Sequence, residues 1–73
     1  MKFHVGDEVE ILYCGSHHGM VGRTGTVIFY KFFKYDVRVM LTPEEIESLK
    51  GTFLEGIKQT VFVLDENEIR RKQ

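Results

Sequence analysis

The sequence has no tryptophan, one proline and one cysteine among its 73 residues. The single cysteine, Cys14, excludes an intramolecular disulfide and is typical of a protein in a reducing compartment. No apolar run approaches the ~18 residues of a membrane-spanning helix, and the N-terminus lacks the apolar centre of a signal peptide. We therefore expect a cytoplasmic protein with no membrane partner.

The chain also lacks a strong charge of either sign. Ten basic and eleven acidic residues give a net charge of −1, so no global positive field attracts phosphates. A chain this short buries only about 60% of its unfolded surface, which leaves little room for a closed active site. With 42% apolar and 29% charged residues, we expect one folded domain over residues 1–73 that binds through its outer surface.

Period-two alternation predicts β-structure over most of the chain. One strand runs from residue 8 to 13, and residues 24–30 and 35–41 form a hairpin with its turn near 31–34. A further strand covers 60–64, followed by one helical turn over 65–69 and a frayed tail over 70–73. The side chains expected to face the core are Val9, Ile11, Tyr13, Val27, Phe29, Val37, Val39, Leu41 and Ile69.

Thr42-Pro43-Glu44-Glu45 is a capping box with proline at the first helical position. It predicts a helix from there to Lys50, ended by Gly51 and stabilised by Ile46, Leu49 and Phe53 on its inner side. Residues 42–56 then form a short helical insertion that caps one end of the sheet. Its acidic face could alternatively contact a basic partner.

Four of the seven glycines fall within residues 15–25, at spacings of four, three and three. Glycine is costly inside strands and helices, so this segment is predicted to be a loop that turns the first strand into the second. It lacks the Gly-Lys-Ser/Thr of a phosphate-binding loop. His17, His18 and Arg23 are the side chains that we expect to contact a partner there.

Cys14, His17 and His18 also lie within five residues, a combination that can bind zinc. A closed site would need a fourth ligand, His4 or an acid from elsewhere, so we prefer exposed loop histidines and expect no metal and no cofactor. A thiol nucleophile would need an oxyanion site as well. We therefore expect a protein that is not an enzyme.

Residues 29–35, Phe-Tyr-Lys-Phe-Phe-Lys-Tyr, interleave five aromatics with two lysines. Alternation places Phe29 and either Phe32 or Phe33 in the core and leaves the remaining rings exposed. Four basic residues (Arg23, Lys31, Lys34, Arg38) against Asp36 give a local charge of +3. The expected contact residues of this hairpin are Tyr30, Lys31, Phe33, Lys34, Tyr35 and Arg38. Such a surface suits a protein interface, or alternatively single-stranded nucleic acid stacked on the rings.

Residues 3–41 resemble the KOW-type, SH3-like barrel. The resemblance rests on Val5-Gly6-Asp7-Glu8-Val9, on the glycine-punctuated loop, and on the Gly25-Thr26-Val27 entry into the second strand. It implies an all-β, SH3-like barrel of about five strands with one short helical insertion. KOW-type domains bind RNA, ribosome or polymerase partners, so it implies a module that docks on a protein or ribonucleoprotein of transcription or translation, as adaptor, regulator or inhibitor. RNA-binding members carry several lysines in the loop, where this chain has His17, His18, Met20 and a single Arg23.

Overall fold

The part of the chain that the structure describes folds into one antiparallel sheet of five strands with a single short α-helix. The computed structural model describes residues 2–15 and 18–72, with residue 18 described by its backbone alone. The strands are β1 (Glu8–Ile11), β2 (Thr24–Lys31), β3 (Lys34–Met40), β4 (Gln59–Leu64) and β5 (Ile69–Arg71), and the helices are a 3₁₀ turn (His18–Met20) and α1 (Pro43–Ser48). The order across the sheet is β4-β3-β2-β1-β5. This confirms the predicted all-β class and is consistent with a small SH3-like fold.

One face of the curved sheet holds the core. Val9, Ile11, Val27, Val37 and Val39 are all at most 1% exposed, as their alternation predicts. The other buried apolar residues are Phe3, Cys14, Tyr35, Leu64 and Ile69. Three predicted core positions differ: the Tyr13 side chain lies beyond the end of β1 and is 55% exposed, Phe29 is 50% exposed, and Leu41 is only partly buried.

The C-terminal segment was predicted as one helical turn over 65–69 that returns Ile69 to the core, and a frayed tail over 70–73. A single turn is present over residues 65–68 and Ile69 is buried, but Ile69 lies in a strand, and the prediction of a frayed tail is wrong for residues 70–72. The Glu68 N–H donates to the carbonyl of Asp65 and closes a tight turn, after which β5 pairs with β1. Ion pairs fasten β5 further, from Arg70 to Glu10 at 2.7 Å and from Arg71 to Asp7 at 3.1 Å. Pairing with β1 satisfies the backbone N–H and C=O groups of β5. The sequence pattern of so short a strand does not predict this pairing.

The capping box of α1 is present as predicted. Thr42 accepts from the Glu45 N–H, and the Glu45 carboxylate accepts from the Thr42 N–H at 2.8 Å. The helix ends at Ser48, two residues before the predicted Lys50, and none of its residues is fully buried. The expected packing of Phe53 is wrong, because that ring is 95% exposed. No helix in the described part of the chain is long and apolar enough to cross a membrane.

Gly25 allows β2 and β3 to approach closely. A Cβ atom built on it would lie 2.5 Å from Cγ1 of Val37 and 2.8 Å from the carbonyl oxygen of Arg38. Both distances are shorter than van der Waals contact, and the carbonyl cannot move without distorting the sheet. Glycine is therefore required at this position by packing.

We expect Gly25→Ala to lower the free energy of unfolding by about 1–3 kcal/mol, the usual cost of overpacking a core. Gly19→Ala is the control, because a Cβ there meets nothing within 4 Å. Urea unfolding of the two variants measures the difference. Equal stability of both would show that the sheet relaxes around the added methyl group.

Candidate functional site

A β-bulge at Ile28 decides which aromatic side chains reach the surface. Val27 lies opposite Val37, but the next pair is Phe29 with Asp36, so β2 carries one extra residue. An extra residue reverses the alternation beyond it. Phe29 consequently lies on the outer face and is 50% exposed, which corrects its predicted place in the core.

Beyond the bulge, Tyr30 and Tyr35 lie opposite each other on the inner face. Tyr35 is 1% exposed, and its hydroxyl accepts hydrogen bonds from the backbone N–H groups of Lys2 and Phe3 at 2.8 and 3.2 Å. Its ring packs on those of Phe3 and Tyr30, with centroids 5.4 and 4.7 Å away. Tyr35, predicted as a contact residue, is thus part of the core, and Tyr30 is half-buried against it.

The hairpin tip, by which we mean residues 31–34, exposes two consecutive phenylalanines. Phe32 and Phe33 form the two-residue connection between β2 and β3, with φ of 53° and 64°. Their rings are 79% and 84% exposed, so the prediction that one of them packs in the core is wrong. Two positive φ angles define the type I′ turn, which strongly prefers Asn-Gly. Bulky residues there cost about 1–3 kcal/mol each and occur mainly at functional sites.

One of the two lysines of the hairpin tip is paired with a carboxylate, and the other lies over an aromatic ring. Nζ of Lys34 lies 2.7 Å from the Asp65 carboxylate, and Nζ of Lys31 lies 4.9 Å from the centre of the Phe32 ring. A cavity of about 280 Å³ beside the tip is lined by Tyr30, Phe33, Tyr35, Asp65, Glu66 and Asn67. The tip therefore combines exposed rings with acidic as well as basic groups, and its positive charge is lower than the local sequence count of +3.

Arg23 holds the second strand to the helix. Its guanidinium binds Glu45 through both carboxylate oxygens, at 3.0 and 3.1 Å, and donates to the carbonyl of Met40 at 2.9 Å. The hydrogen bonds from Arg23 and from the Thr42 N–H lower the pKa of Glu45 from 4.5 to about 2. Arg23 is accordingly a structural ion-pair partner.

The predicted contact residues do not form one face. Arg23 lies at the Met40 end of β3, and the hairpin tip lies at the Lys34 end, seven residues and about 20 Å along the strand. Arg38 lies between them on the outer face, opposite Thr26 and Val61. His17 and the side chain of His18 are outside the described residues. The predicted residues that the structure brings together are Lys31, Phe33 and Lys34, with the half-buried Tyr30, which lines the same cavity as Phe33.

Sequence reasoning missed Phe29 and Phe32 as surface residues. Phe29 was missed because its exposure depends on the bulge, and no residue type in the sequence predicts the bulge. Phe32 was missed because its exposure depends on the turn, which ordinarily carries glycine or asparagine. Elsewhere, Cys14 is buried in the core, and no group of three His, Cys, Asp or Glu side chains within residues 2–15 and 18–72 is placed to hold a metal ion.

Replacing both turn residues, Phe32→Asn with Phe33→Gly, is expected to raise the free energy of unfolding by about 1–2 kcal/mol, because asparagine and glycine adopt positive φ at a lower cost than phenylalanine. The control is Phe32→Ala with Phe33→Ala, which removes the rings but keeps a Cβ at each position, so its stability should change little. Thermal unfolding of the three proteins measures this. A loss of stability in the Asn-Gly variant would mean that the rings support the fold.

Glu45→Gln is expected to lower stability at pH 7 by about 1 kcal/mol, through the loss of the ion pair and of a good cap. Because folding depresses the pKa of Glu45, its contribution is complete above pH ~4.5 and is lost as the pH falls towards 2. The stability difference between wild type and variant should therefore shrink over that range. Glu47→Gln, at an exposed pair with Lys50, should show neither effect. A stability difference between wild type and Glu45→Gln that does not change with pH would contradict the role of the Glu45 carboxylate in the ion pair and the cap.

Comparison with protein-family models gives no match for this sequence, and no curated protein matches it. The resemblance to KOW-type domains thus rests on the residues quoted above. The function has to be argued from the geometry of the hairpin tip.

Proposed function

We propose that this protein is a non-catalytic binding module that docks on a protein surface through the hairpin tip. The observation that carries the proposal is the pair of exposed phenylalanines at 32 and 33, both held at positive φ. A turn that served only to connect β2 and β3 would be more stable with asparagine and glycine. Selection for the rings themselves explains why the strain is kept.

The tip has the chemistry of an interface anchor. Large aromatic side chains that enter a pocket on a partner dominate the energetics of many protein interfaces. Phe32 and Phe33 project from a short turn. The base of this turn is held by Tyr35, which makes two hydrogen bonds and two ring contacts. Anchors on a rigid support lose little conformational entropy on binding.

The charges favour a protein over a nucleic acid as the partner. Lys34 is paired with Asp65, and Glu66 lies beside the same cavity, so phosphates would meet carboxylates close to the rings. Lys31 and Arg38 make no ion pair within the described residues, and two cations supply little of the phosphate neutralisation on which nucleic-acid affinity depends. Exposed rings with balanced charges suit a partner that offers an apolar pocket with polar edges.

The KOW resemblance of residues 3–41 supplies the class of partner. It points to a protein or ribonucleoprotein complex of transcription or translation, on which a module of this size acts as adaptor, regulator or inhibitor. The fold alone does not assign such a role, since small β-barrels serve many functions.

The decisive experiment compares capture of partners by three tagged proteins from nuclease-treated lysate. Wild type should retain a defined complex, and Phe32→Ala with Phe33→Ala should lose it by at least tenfold, the loss of two anchor side chains. Phe53→Ala is the matched control, since that ring is 95% exposed but lies far along the chain in the loop after α1. It should retain the complex at the wild-type level.

Two outcomes would overturn this assignment. Equal capture by the tip variant and wild type would remove the hairpin tip from the interface. Capture that occurs only from a parallel lysate without nuclease, together with low-salt binding of a single-stranded oligonucleotide that Lys31→Ala and Lys34→Ala weaken, would establish nucleic-acid binding instead.

A further inference from the structure

The cavity beside the hairpin tip lies between two turns that are joined to each other. Phe33 borders it from the tip, and the turn over residues 65–68 borders it from the other side. Glu68 closes that turn twice: its N–H donates to the Asp65 carbonyl at 2.9 Å, and its carboxylate accepts from the Asp65 N–H at 2.8 Å. The Lys34–Asp65 ion pair of 2.7 Å connects the turn to the tip. The cavity is therefore built between two segments whose positions are fixed by contacts.

Three aromatic residues line this cavity. Tyr35 is buried, Tyr30 is half-buried against it, and Phe33 is 84% exposed, so the lining extends from the core to the surface. The face of an aromatic ring attracts a cation, and the attraction grows when the cation is removed from water. A cavity bordered by three rings therefore favours an organic cation over an anion.

The charge at the cavity has the matching sign. Asp65 and Glu66 are the charged residues among those that line it, and Lys34 neutralises only Asp65. Glu66 makes no ion pair or hydrogen bond with any residue whose placement the structure gives. With Asn67 it occupies the exposed centre of the turn, so its carboxylate can bind an incoming group without breaking an existing contact. An unpaired carboxylate beside aromatic rings selects a cationic ligand.

The size of the cavity and the chemistry of its lining favour an arginine side chain. Its volume of about 280 Å³ is below the ~300–1,000 Å³ of pockets that hold whole small-molecule ligands, so it suits one side chain of a larger partner. A guanidinium stacks on aromatic rings, donates to a carboxylate through two N–H groups, and is less strongly hydrated than an ammonium group. Arginine therefore uses the rings and the carboxylate together, whereas lysine offers a single, strongly hydrated charge.

We propose that the cavity between the hairpin tip and the turn over residues 65–68 binds an arginine side chain of the protein on which the tip docks. The guanidinium packs against Tyr30 and Phe33 and donates to the carboxylate of Glu66. The inference rests on the proposed docking function and adds a charged contact beside the two exposed phenylalanines. Arginine is one of the residues that contribute most to binding at protein interfaces.

NMR titration of the isotope-labelled protein with N-acetyl-arginine methylamide tests the site without the partner. The amide signals of Phe33, Glu66 and Asn67 should shift and saturate at roughly millimolar concentration, the range of a contact made by one residue. N-acetyl-citrulline methylamide, which has a similar shape and no charge, should shift none of them. N-acetyl-lysine methylamide should bind about threefold more weakly than the arginine derivative.

Two variants separate the carboxylate from the ring. Glu66→Gln should weaken binding of the arginine derivative about tenfold, because a charge-assisted hydrogen bond becomes a neutral one. Phe33→Leu should weaken it about threefold, because an apolar side chain remains but the aromatic face is lost. Glu44→Gln is the matched control for charge, since it removes a carboxylate from an exposed position in α1, and it should leave the dissociation constant unchanged.

Three results would overturn the inference: no saturable shift with the arginine derivative, an equal response to the citrulline derivative, or equal binding by Glu66→Gln and wild type. Equal binding of the lysine derivative would overturn the choice of arginine. Glu66→Gln should also reduce capture in the lysate experiment. If the tip variant loses the complex and Glu66→Gln retains it at the wild-type level, the docking function stands and the arginine contact fails. A saturable arginine titration with unchanged capture by the tip variant would give the opposite result.

Discussion

The extra residue at Ile28 is the constraint on which the surface of this protein depends. Without the bulge, strict alternation would send Phe29 into the core and turn Tyr30 outward. With it, Tyr30 packs on Tyr35, and Phe29 lies opposite Asp36 on the outer face. A single backbone irregularity thus exchanges one aromatic for another between core and surface, three residues before the hairpin tip.

The tyrosine pair in turn supports the strained turn. Burial of Tyr35 requires partners for its hydroxyl, and the N-terminal segment supplies them through the N–H groups of Lys2 and Phe3. The N-terminus, β2 and β3 are therefore joined at the base of the hairpin. A turn with two unfavourable φ angles persists only where the surrounding structure determines it in this way.

The sequence was sufficient where a local rule governs the structure. Alternation correctly predicted the buried faces at Val9, Ile11, Val37 and Val39, and the capping box correctly predicted the start of α1, because both depend on neighbours within a few residues. It was insufficient where contacts distant in the chain decide. β5 forms because Ile69–Arg71 pairs with a strand about sixty residues earlier in the chain. Arg23 was predicted as a partner contact because its ion-pair partner Glu45 is twenty-two residues away in the sequence. The predicted positions of Phe29, Tyr35 and Phe32, in the core or on the surface, were wrong for the same reason. Bulges and turn types depend on the register of both strands.

Glu45 is the residue that joins the glycine-rich loop to α1. One carboxylate caps α1, binds Arg23 with both oxygens, and so connects the glycine-rich loop to the helix that follows β3. The hydrogen bonds from Arg23 and from the Thr42 N–H lower the pKa of this carboxyl to about 2. Because the helix buries no residue fully, it is placed largely by this polar cluster and by the partly buried Ile46 and Leu49. The end of the sheet away from the hairpin tip is consequently fixed by charge and hydrogen bonding, and the tip end is fixed by aromatic packing. The exposed phenylalanines of the tip take part in neither, so stability does not explain their presence.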